Sequence, residues 1–211
     1  MGPFPTAIRQ LKFLVVSIDY FTKWVEVEPL ATITEKSIRI FIWRNIICRY
    51  GILRVLVSDN GKQFDNSAFR DFCSELGIKN HYSSPVHPQA NGQVEVTNRT
   101  LLKIIKTRLE GAKGIWLDEL PSVLWAYRST ARTPIGKTPF RLTYGADAVI
   151  PAKVGLTSYH VQNYMEEKNK EAMHLQLDLV DEAQATAEQR LARYQNLMSK
   201  HYNAKVKHRD F

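Results

Sequence analysis

Val55-Leu-Val-Ser-Asp-Asn-Gly61 is the stretch on which the reading of this chain turns. Val55-Leu-Val57 has the apolar, β-branched make-up of a short strand buried on both faces. Asp59 follows it directly, and carboxylates at the carboxyl ends of sheet strands commonly line the functional edge of α/β folds. Asp-Asn-Gly is also a favourable turn tripeptide. On these residues alone, a plain turn and a functional carboxylate both stand.

Working towards the N-terminus, Thr34 to Tyr50 carries Ile38, Phe41, Ile42 and Ile46 at helical spacing. Thr32 or Thr34 can cap that helix, and Gly51 stands where a helix end wants positive φ. Before it, Lys23-Trp-Val-Glu-Val-Glu28 alternates polar with apolar, as a strand with one wet face does. Phe13-Leu-Val-Val-Ser-Ile18 is apolar on both faces and reads as a central strand, joined to the alternating one by a hairpin. Towards the C-terminus, Ser67 to Leu76 is amphipathic and stopped by Gly77, and a strand follows near Lys79–Ser83. An irregular stretch with Pro85, Pro88 and Gly92 leads into a helix over roughly Gln93 to Leu109, and another lies near Trp116–Arg128. The order β-β-α-β-α-β-α implies a mixed sheet flanked by helices.

The chain of 211 residues has 29 Lys plus Arg against 21 Asp plus Glu, a formal charge of +8 that favours a polyanionic partner. Residues 152–211 hold nine basic and eight acidic side chains, so +7 falls on residues 1–151. No glycine or proline occurs after Gly155, and residues 161–202 read as one long helix. Its apolar positions Leu177, Val180, Ala187, Leu191, Tyr194 and Met198 follow a 3–4 spacing, with Gln184 the polar residue in register. That narrow seam fits a coiled coil or a helix lying on a partner, and equally a helix docked on its own domain. Cys48 and Cys73 make no disulfide framework and lack the spacing of a zinc site. The longest apolar stretch, Phe13–Ile18, is too short to span a bilayer, and Met-Gly-Pro-Phe-Pro has no signal-peptide pattern. A soluble, intracellular, basic protein is expected.

Glu95 follows Asp59 with 35 residues between them, near the start of the predicted 93–109 helix. A strand-end aspartate and a helix glutamate suit Mg²⁺, which takes oxygen ligands and keeps several waters. Two such ions activate the attacking oxygen and stabilise the leaving one in phosphodiester chemistry. On a helix, Arg99 falls ~40° and Lys106 ~20° from Glu95, so cations share the carboxylate's face. The alternative is an ordinary solvated face with an i,i+4 Glu–Arg pair.

Val57-Ser-Asp-Asn-Gly61, Ser84-Pro-Val-His-Pro-Gln-Ala-Asn-Gly-Gln-Val-Glu95 and Asn98-Arg99 resemble the catalytic core of retroviral and LTR-retrotransposon integrases, with the similarity closest to gypsy-type elements of plants. The resemblance continues through Trp116-Leu-Asp-Glu-Leu120, Leu124-Trp-Ala-Tyr-Arg128 and Thr138-Pro-Phe-Arg-Leu-Thr-Tyr-Gly145, nearly all of residues 2–151. It implies an RNase H-like, mixed five-stranded sheet and a core in which two Asp and one Glu hold two Mg²⁺ or Mn²⁺ ions. That core trims element DNA ends and joins them to target DNA. Asp59 then matches the second aspartate and Glu95 the glutamate, both metal ligands. Asn98 and Arg99 match helix residues facing DNA. Leu102 occupies a position that is a DNA-contacting lysine in some relatives, a contact that Lys103 would replace, and Lys106 lies further along the same helix. Pro88, Gln89, Gly92 and Gln93 fall in the family's mobile active-site loop, which gives Gln89 and Gln93 DNA contacts.

The resemblance places the first catalytic aspartate on a strand ahead of a Gly-Pro-Phe-Pro-like loop, and this sequence opens inside that loop at Gly2–Pro5. The expectation is a core without its first strand, an exposed sheet edge and impaired activity. Asp19 is expected to be a hairpin residue at the sheet edge opposite Asp59. The core is expected over 1–151 and a helical linker over 152–211, pointing to a further C-terminal domain. DNA and a second copy of the chain are the expected partners, with no membrane role and a nuclear location after cytoplasmic synthesis. A non-catalytic DNA-binding or oligomerising fragment and an RNase H-type nuclease are the alternative functions.

Overall fold

The structure, a computed structural model, describes residues 1–82, 99–100, 103, 116–132, 135–148 and 166–205, with the backbone course alone over 166–178, at 199 and over 201–205. The chain forms two compact units, Met1–Tyr20 with Val25–Trp125, and Phe21–Trp24 with Ala126–Phe211. The boundary expected between residues 151 and 152 lies outside the described residues.

In the first unit, β1 (Phe13–Ile18) and β2 (Val25–Leu30) form the expected antiparallel hairpin, with Phe13 opposite Leu30 and Ile18 opposite Val25. Pro29 sits opposite Leu14. Leu14 turns its backbone away from β2, donating its N–H to Met1 O at 2.8 Å and accepting from the Met1 amino group at 2.7 Å. Pro29 therefore occupies a position that owes β1 no hydrogen bond, where proline is tolerated.

The second strand departs from the alternation of its sequence. It begins two residues later than expected, and Glu26, placed on a wet face by that pattern, is only 4% exposed. Its Oε1 accepts from Arg49 Nη1 at 2.9 Å and from the Tyr50 hydroxyl at 2.6 Å. Two donors from the end of the following helix make burial of this carboxylate tolerable.

That helix starts with α1 (Glu35–Phe41), continues through a π-helical turn at Ile42–Ile47 and ends with Cys48–Tyr50. Thr34 caps it through a reciprocal box: Ser37 N donates to Thr34 Oγ1 at 3.2 Å and Thr34 N to Ser37 Oγ at 3.0 Å. Gly51 takes φ 91° at the exit. After it come β3 (Val55–Ser58), α2 (Ser67–Glu75) and β4 (Lys79–Tyr82), with β4 parallel to β3 in register Val55 to Lys79 and Ser58 to Tyr82. Asn66 Oδ1 caps α2 by accepting from Phe69 N at 2.9 Å.

One core joins these pieces. Leu30, Ile38, Phe41, Ile42, Ile47, Phe69, Cys73 and Ile78 are buried together, and Phe13 and Val15 of β1 and Leu56 of β3 pack against them. The described strands form two pairs, β1–β2 and β3–β4. β3 is covered by the core on one face. Leu56 meets the core, while Val55 and Val57 remain 48% and 39% exposed. The N-terminal loop lies close against β1, where a side chain on Gly2 would collide with Lys12 O. Phe4 stacks on Trp116, the first residue of α3 (Trp116–Ser129), whose Nε1 donates to Pro5 O at 2.7 Å.

In the second unit, α4 (Pro139–Tyr144) opens with Thr138 Oγ1 accepting from Arg141 N at 3.0 Å. The 40-residue α5 (Glu166–Lys205) docks its middle on this element. Ala187 is buried with Ile135 and Leu142, and Gln184 Nε2 donates to Leu142 O at 2.9 Å. The seam is thus docked on its own unit around Ala187, whereas Tyr194, Leu197 and Met198 further along are exposed. Phe140 and Tyr144 surround Trp24, and the Arg128 guanidinium lies 4.3 Å from the Trp24 ring.

The Glu26 contact carries a stability prediction. Glu26→Ala leaves the Tyr50 hydroxyl and Arg49 to rehydrate at a partly exposed site, so the loss is about 1–3 kcal/mol. Glu26→Gln, which keeps an acceptor, should lose less. Urea unfolding should show a lower midpoint with unchanged slope for both variants, in that order.

Candidate functional site

Asp59 leaves β3 at the end it shares with β4. Gly61 N donates to Asp59 Oδ1 at 3.0 Å, closing an Asx turn, and Phe64 N and Asp65 N both donate to Gly61 O, at 2.8 and 2.9 Å. The Tyr82 hydroxyl donates to Phe64 O at 3.0 Å and fastens the end of β4 to the same turn. The turn reading of Asp-Asn-Gly is therefore correct, and it does not compete with a functional one. One carboxylate oxygen orients the side chain, and the exposed group retains acceptor capacity for a cation.

The Met1 amino group approaches the same place from β1. Burial pushes its pKa below the ordinary 8.0, while the negative charge of Asp59 acts in the opposite direction. This neighbour was invisible in the sequence, since no spacing or motif links Met1 to Asp59. Asp19, by contrast, stands at the other end of β1, five residues beyond Leu14 and so about 17 Å along the strand.

Arg99 and Lys103 are helical and exposed, and their spacing of four places them on one helix face. Glu95, Asn98, Gln89, Gln93 and Lys106 lie outside the described residues, as do Pro88, Gly92 and Leu102. Among the described residues no group of three or more His, Cys, Asp or Glu side chains is arranged to hold a metal ion.

Superposition on solved structures gives the class: the fold is RNase H-like, that of retroviral integrase catalytic cores. The catalytic core of bovine immunodeficiency virus (BIV) integrase superposes with a TM-score of 0.51 at 26% identity, over 61% of this chain and 83% of that one. The HTLV-2 integrase catalytic core, solved in complex with magnesium in a trimeric form, gives 0.52 at 22% identity over 67% of this chain and 98% of that one.

More particularly, residues 3–88 match the family described as Integrase core domain. The Gag-Pol polyprotein of feline leukemia virus is 38% identical over 136 residues, 64% of this chain and 8% of the polyprotein. A retrovirus-related Pol polyprotein from transposon 412 of Drosophila melanogaster is 25% identical over 98% of this chain and 16% of its own length. The chain thus spans a small part of the polyproteins it resembles.

The charge beside Asp59 can be read directly. Asp59→Asn keeps an acceptor for Gly61 N–H but removes the charge that favours the Met1 ammonium, so the amino pKa should fall further below its ordinary value. Amine acylation followed against pH checks this, and an unchanged midpoint would disprove the coupling. Because the unfolded amino group binds protons more tightly than the folded one, its contribution makes stability rise with pH through its titration range.

Proposed function

We propose that this chain is the catalytic core of a DNA-integrating polynucleotidyl transferase of an LTR retroelement, of the gypsy type found in plants. The observation carrying the reading is Asp59, held by its Asx turn at the end of a parallel strand, inside the segment that matches the Integrase core domain. Asp59 and Glu95 are the carboxylates that hold Mg²⁺ or Mn²⁺. The exposed oxygens of Asp59 suit such hard cations, which select oxygen ligands. The metal, when bound, activates the attacking oxygen and stabilises the leaving one.

The chain's other residues bind and orient DNA. Arg99 and Lys103 present cations on a helix that follows Glu95, and Asn98, Lys106, Gln89 and Gln93 complete the DNA-facing set. Each phosphate neutralised should add about 0.9 to the salt slope of duplex binding. DNA ends and target DNA are the substrates, a second copy of the chain is the protein partner, and the nucleus is the working compartment.

Activity of the chain in this form is expected to be weak. Asp19 stands beyond the far end of β1, about 17 Å along the strand from Leu14, too far to supply another carboxylate. With paired oligonucleotides and Mn²⁺, joining should be slight and abolished by both Asp59→Asn and Glu95→Gln. Robust Asp59-dependent joining would refute the attenuation. Joining that ignores both substitutions would refute the catalytic assignment, and cleavage of an RNA–DNA hybrid without joining would favour an RNase H-type nuclease.

A further inference from the structure

The 40-residue α5 is divided by charge. Residues 166–182 carry six acidic and two basic side chains, and residues 183–205 carry one acidic and four basic. Glu182 and Arg193 are both exposed, and among the described residues neither has an ion-pair partner. They stand about 16 Å from each other along the axis, too far to pair within one helix.

The same helix carries an apolar pair. Leu179 and Leu197 are 47% and 62% exposed. The interval between them makes about five full turns, so the two leucines lie on one line along the helix, roughly 27 Å apart. That line runs about 80° round the axis from Ala187, the residue that meets Ile135 and Leu142, so docking on the unit leaves both leucines open. Between them the small Ala183 and Thr186 lie close to the line, and Arg190 lays its guanidinium against Gly136. Glu182 and Arg193 both flank the line on the same side, about 60° and 40° from it.

We propose that α5 pairs with α5 of a second copy of this chain, antiparallel and centred near Glu188. A helix that is basic where this one is acidic, and acidic where this one is basic, is this helix reversed. A parallel pair would set like charges side by side. In the antiparallel register Leu179 of each copy meets Leu197 of the other. Residues on the same flank of two antiparallel helices face each other, so that register also brings Glu182 against Arg193, twice by symmetry. The leucines supply the apolar contact, and the paired charges set direction and register. This pairing rests on the reading of a second copy as the protein partner, names where that copy is held, and does not involve Asp59.

Sedimentation equilibrium of the full chain tests this, with circular dichroism reporting that helix content is kept. Glu182→Arg or Arg193→Glu alone should raise the dimer dissociation constant at least about tenfold, since each turns two attractions into two repulsions. The double swap should return the constant to within about threefold of its starting value. Direction is read separately in a Cys48→Ser background, which removes the exposed native thiol. A short bis-maleimide should cross-link a mixture of Leu179→Cys and Leu197→Cys chains, and neither chain by itself. A dimer that ignores the charge swaps, or that cross-links through Leu197→Cys alone, overturns this interface but leaves a second copy as the partner. A chain that stays monomeric at every concentration overturns both.

Discussion

Burial of one apolar cluster keeps two strand pairs in a single layer although no described strand hydrogen-bonds across them. Phe69 and Cys73 of α2, with Ile38 and Phe41 of α1, lie beneath Phe13, Val15 and Leu30 on one side and Leu56 on the other. Two-stranded ribbons are marginal alone and become stable when packed against helices. Phe69 is fully buried and meets Phe64 edge-to-face at 5.5 Å, which also ties the core to the turn after Asp59. The position of the site therefore rests on side-chain packing rather than on a continuous ladder.

Asp59 illustrates how a turn and an exposed carboxylate coincide. A strand at its end needs a sharp change of direction, and an aspartate that accepts from the backbone two residues on provides it. The same hydrogen bond narrows the range of positions open to the carboxylate.

Local rules made much of this legible. Thr34 and Gly51 mark the ends of one helix, Gly77 marks the end of another, and the β1–β2 hairpin follows from two β-rich runs in close succession. The failures have a common cause in partners far away in sequence. Glu26 looks wet by alternation, yet Arg49 and Tyr50, more than twenty residues on, satisfy it in the interior. Val57 looks buried by composition, yet the buried cluster packs on the Leu56 face of β3 and leaves Val57 exposed. Gln184 looks like a defect in an apolar seam, and it proves to be the residue that bonds to the backbone of α4. At the site, Asp59 was legible from a strand followed by a turn, whereas the field of Met1 arises only when the chain closes on itself.

The docking of α5 at Ala187 also fixes a reach. A helix rises about 1.5 Å per residue, so Lys205 stands about 27 Å along the axis from the point where Ala187 is clamped against Ile135 and Leu142. Anything tethered at that end is carried by a straight arm of defined length, with Gln184 and Ala187 as its clamp. The arm acts as a ruler: inserting or deleting one helical turn beyond the clamp would move the tethered group by about 5.4 Å with little change in its bearing, whereas a two-residue change would swing it to the other side of the axis.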